Sequence, residues 1–101
     1  MDREGAVTIV LDNDRQRVIG EGYGHLVGPY LQRTQMTTPE LRLSGVSWTE
    51  DFRPPPWGNN DTRVRVLFPD GFEVMGTLAL AEGAPVPSVY ELHAIEFSGH
   101  D

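Results

Sequence analysis

Residues 63–80, RVRVLFPDGFEVMGTLAL, decide the fold class of this chain. At their centre Phe68-Pro69-Asp70-Gly71 puts proline at the second turn position and glycine where a positive φ is needed. That chemistry specifies a type I turn closed by a glycine bulge, a short connection between two antiparallel strands. It pairs Phe68 with Phe72, which sets Val66 opposite Val74 and Val64 opposite Gly76. On the other face Arg63 meets Thr77, Arg65 meets Met75 and Leu67 meets Glu73. The first face is apolar or glycine throughout and the second is mixed. Turn chemistry and hydrophobic pattern therefore choose the same register.

Outward from this hairpin the dominant period is two. Ala6 to Leu11 is β-branched and apolar, and Asp12-Asn13-Asp14 breaks it with turn-forming side chains. Arg17 to Tyr23 resumes as a strand, with Ile19, Glu21 and Tyr23 alternating with Val18, Gly20 and Gly22, so the two segments form a second hairpin. In Glu40 to Trp48, Leu41 and Leu43 share one phase while Val46 and Trp48 share the other. The change at Ser44-Gly45 marks a bulge or bend. Tyr90 to Phe97 places Tyr90, Leu92 and Ala94 on one face and Ile95 and Phe97 on the other, the look of a strand covered on both sides. Only Pro29 to Met36 suits a helical turn, because proline fits a first helical position. The expectation is a single all-β domain over residues 1–101 with six or seven antiparallel strands and at most one short helical turn. Either a small barrel or a two-layer sandwich would bury such strands.

Composition narrows the function classes. The chain has 101 residues, no cysteine and a net charge of −7, and all eight of its basic residues are arginine. Disulfide scaffolds, thiolate metal sites and cysteine nucleophiles are excluded. Nucleic-acid binding is disfavoured because it calls for a basic face. The first residues lack the pattern of a signal peptide and no apolar run reaches membrane-spanning length, so a cytoplasmic protein away from the membrane is expected.

Catalytic patterns are incomplete. Gly20-x-Gly22-x-Gly24 lacks the spacing and the following helix of a phosphate-binding loop, and reads instead as a twisted strand or a close backbone approach. Glu91 and His93, two apart on a strand, leave the same face, and His25 could join them as a metal ligand. A zinc site needs three or four ligands, and no HxH or HExxH run supplies them, so a solvated polar face is the preferred reading and no cofactor is expected. No nucleophile elbow surrounds any serine.

The strongest functional segment is Thr49 to Asn60, TEDFRPPPWGNN. Its prolines favour an extended path, and tryptophan and arginine are the types most enriched at interaction hot spots. The expected activity is thus a non-catalytic protein-interaction module centred on residues 49–60. Trp57, Phe52 and Arg53 would anchor the partner, with Trp48 beside them. The same loop could instead cap the end of a barrel. The acidic balance suits a basic partner, as an inhibitor or immunity protein would have. A sheet edge leaves room for a homodimer. The competing expectation is a small-molecule-binding or metal-dependent enzyme using His25, Glu91 and His93 at a barrel mouth.

Overall fold

The computed structural model describes residues 2–27, 39–55, 62–81 and 89–97. Among them are six strands: β1 Asp2–Leu11, β2 Asp14–Val27, β3 Glu40–Trp48, β4 Arg63–Leu67, β5 Glu73–Leu80 and β6 Val89–Phe97. They close into an antiparallel barrel in the ring order β1-β2-β3-β6-β5-β4, which decides against the two-layer sandwich. The helical turn expected at Pro29 to Met36 lies outside the described residues, and no helix among the described residues is long and apolar enough to cross a membrane.

The hairpin that fixed the fold class forms in the expected register, with Val66 opposite Val74, Val64 opposite Gly76 and Leu67 opposite Glu73. Gly71 has a φ of +92° and donates its N–H to the Phe68 carbonyl at 3.0 Å. The Asp70 carboxylate accepts the Phe72 N–H at 3.1 Å, and Arg3 from β1 pairs with Asp70 while its guanidinium lies over the Phe72 ring. The turn is therefore tied to the opposite neighbour of β4 as well as to itself.

Alternation along each strand sends one side chain in two to a core of Val7, Ile9, Ile19, Leu26, Leu41, Leu43, Val64, Val66, Phe68, Val74, Leu78, Tyr90 and Leu92. No polar or charged side chain is buried with them among the described residues. A small barrel needs strong strand curvature, and bulges supply it. Between Ile9 and Val10 the β1–β2 register slips by one, so Ile19 is fully buried while Glu21 and Tyr23 are exposed. Ile19 thus leaves the face it was expected to share with them. On β3 the register with β2 jumps from Ser47 to Ser44, and Gly45 has a φ of +58°, which places the expected bulge at Ser44-Gly45.

Strand β6 departs from its expected form. Its register with β5 passes from His93 to Glu96 while β5 advances from Thr77 only to Met75, and Ala94 has a φ of +54°. This bulge turns Ala94 out to solvent and Ile95 against the core. The change of phase is a break in one inward face; it does not reflect cover on both faces.

Candidate functional site

Ring order places β3 and β4 on opposite sides of the barrel, so the chain leaving Trp48 must turn across one end to reach Arg63. The described part of that crossing, residues 49–55, is fixed from its first residue. Thr49 donates its N–H to the Ile19 carbonyl at 2.9 Å, and Phe52 donates to the Thr49 carbonyl at 3.1 Å. The Thr49 hydroxyl donates to Asp51 at 2.9 Å, and Arg17 reaches the other Asp51 oxygen at 2.6 Å. The Thr49 hydrogen bond, and then the Arg17 charge, hold the Asp51 carboxyl below its ordinary value.

The apolar residues here point inward. Trp48 and Phe52 pack on the core with ring centroids 5.1 Å apart, and the edge of Tyr90 meets Trp48 at 5.2 Å and 89°. Pro54 and Pro55 are buried. Trp48 also explains Gly20, where a Cβ would stand 2.7 Å from its Cε3; in the rest of the glycine run a Cβ on Gly22 would meet Val46 at 2.8 Å and one on Gly24 would meet Val7 at 2.9 Å. The expected anchors therefore separate. Trp48 and Phe52 belong to a plug, Arg53 is exposed and has no ion pair among the described residues, and Trp57 lies outside them. Glu50 and Asp51 are exposed beside Arg53.

The expected polar face of β6 forms: His93 Nε2 donates to Glu91 Oε2 at 2.9 Å on the outer wall. His25 does not join it. The register runs His25 to Arg42 to Glu91, so a whole strand separates His25 from Glu91, or about 9–10 Å. Among the described residues no group of three His, Asp or Glu side chains stands close enough to hold a metal ion. The intervening Arg42, absent from the residues expected to matter, places a positive charge where such a cation would sit. Its signal is present in the sequence, an arginine between two core leucines in Leu41-Arg42-Leu43, but meaning comes only with its neighbours.

Farther round the same outer face, Tyr23 and Glu4 share a hydrogen bond that raises the phenol above its ordinary value. Arg65 is held by Asp12 at 3.0 Å and Glu73 at 3.3 Å, and Arg15 also pairs with Glu73. These ties staple the tip of the β1–β2 hairpin to β4 and β5.

No family model matches the chain, and neither the curated proteins nor the solved structures contain a match.

Proposed function

We propose that the chain is a non-catalytic interaction module that binds a protein partner through residues 49–60, whose described part, 49–55, lies at one end of the barrel. The supporting observation is Arg53. It stands exposed between Phe52, which packs on the core, and the buried Pro54, on a segment held by Thr49, Asp51 and Arg17. A guanidinium carried on a rigid base loses little freedom on binding, which is how preorganised contacts gain affinity. Trp48 and Phe52 then act as the foundation of the surface, and Arg53, Glu50 and Trp57 as its contact side chains. The net charge of −7 favours a partner with a basic patch around the carboxylate that Arg53 takes, an inhibitor-like or immunity-like relation.

Affinity capture from the source cells, with the wild type and the variants Arg53→Glu and Trp57→Ala as baits, tests this reading. Both variants should keep the wild-type thermal midpoint and lose the captured protein. Capture that Arg53→Glu leaves intact removes the barrel end as the binding surface. A captured complex that holds equally well from about 0.05 to 0.3 M salt removes the basic partner, because screening would weaken opposite-charge contacts over that range.

A further inference from the structure

At the end of the barrel opposite residues 49–55, the wall between β3 and β6 opens. The two strands pair only from Leu41–Leu92 to Ser44–Val89, although β6 continues to Phe97. The opening is a cleft of about 680 Å³ lined by Pro39, Glu40, Arg42, Glu91, His93 and Ile95, with Leu41, Leu92 and Ala94 completing its floor. Its size lies within the range of small-molecule sites.

Independent features converge on it. Arg42 is exposed and, although directly opposite Glu91 in the register, forms no ion pair among the described residues. Glu91 is turned to His93 instead. Ala94 sits in the cleft in the left-handed region, and its bulge is what brings Ile95 to the wall. Bulges and strained residues of this kind gather at barrel rims and binding sites, where they re-aim side chains.

The charges select the ligand. Arg42 lines the cleft with two carboxylates, Glu40 and Glu91, the second of which also accepts a hydrogen bond from His93; the acids outnumber the guanidinium, which disfavours a phosphate dianion, and a simple cation would leave Arg42 unused. A zwitterion satisfies both signs. We propose that the cleft binds a free α-amino acid with an apolar side chain, Arg42 taking the carboxylate, Glu91 the ammonium group, and Pro39 and Ile95 the side chain. Arginine offers a planar pair of donors that fits a carboxylate.

Titration of ¹⁵N-labelled protein with L-leucine, followed by amide shifts, tests the site. The shifts should saturate and concentrate on residues 40–42 and 91–95. L-leucinamide, which lacks the carboxylate, and 4-methylpentanoate, which lacks the ammonium group, should each bind at least about tenfold more weakly. Arg42→Gln, at an exposed position, and Glu91→Gln, at a half-buried one on the outer wall, should lose L-leucine to the same degree while the rest of the spectrum stays in place. Arg53→Glu should leave the titration unchanged, so the cleft stands or falls apart from the partner surface. Absence of saturation overturns the proposal, as does equal binding by inorganic phosphate or 4-methylpentanoate, or undiminished binding by Arg42→Gln.

Discussion

Ala94 is the one non-glycine residue with a positive φ among the described residues, at +54°. An L side chain in that region costs about 1–2 kcal/mol, and only the surrounding pairing of β6 with β5 holds it there. Replacement by glycine removes the clash but frees the unfolded chain, which offsets part of the gain. Ala94→Gly should therefore be stabilised by a net of about 0.5–1 kcal/mol in urea unfolding; unchanged or lower stability would mean that the bulge carries no strain. Asp51 makes a pH-dependent statement at the same scale. Its folded value is lowered by Thr49 and Arg17, so its contribution to stability is complete above the unfolded value of about 3.9 and disappears as pH falls through the lower folded value. Below about pH 4 the thermal midpoint of Asp51→Asn should fall less steeply than that of the wild type, and parallel acid limbs would deny the coupling.

Among the elements, the β4–β5 hairpin depends most on local chemistry. A Cβ on Gly71 would meet only open space, but the φ there is +92°, so Gly71→Ala should cost about 1–2 kcal/mol from backbone strain alone. Gly20 presents the opposite situation: ordinary backbone, but a Cβ would press on Trp48 at 2.7 Å. Gly20→Ala should cost about 1–3 kcal/mol by overpacking, with the tryptophan emission shifting as Trp48 is displaced. This contrast also explains what the sequence could reveal. Turn residues at 68–71 encode their geometry within four positions, so the register through Arg63 opposite Thr77 could be read directly. The bulges at Ile19 and Ala94 could not, because curvature is demanded by barrel closure and by partners far along the chain. Alternation shows that a phase changes in Tyr90 to Phe97 but cannot distinguish a covered outer face from an inserted residue. The cleft was illegible for the same reason. Arg42 and Glu91 are 49 positions apart, and only the β3–β6 pairing makes them neighbours.

For the whole molecule, closure in the order β1-β2-β3-β6-β5-β4 determines what each end does. Among the described residues it leaves no strand as an edge along its whole length, although the ladder lapses beside β1 from Asp2 to Val7, which β4 does not reach, and beside β6 beyond Leu92, where the cleft lies. It also forces the chain after β3 across the barrel end, where aromatic and proline side chains cover the core. Composition alone marked that segment as sticky, whereas the barrel shows its described aromatic residues serving the core and its charged residues serving the surface. Stability and partner binding should therefore separate by neighbouring positions. Phe52 is half-buried against Trp48, and truncating a fully buried phenylalanine costs about 3–5 kcal/mol, so Phe52→Ala should lower stability by about 2 kcal/mol. Arg53, exposed and without an ion pair among the described residues, should change stability by less than about 0.5 kcal/mol when replaced by alanine. Urea unfolding of the two variants, paired with affinity capture, gives a clear pattern: Phe52→Ala weakens the fold and retains capture under conditions where it is fully folded, while Arg53→Ala keeps the fold and loses capture. If Arg53→Ala unfolds as readily as Phe52→Ala, the whole segment is lid and the barrel end has no free contact surface to offer.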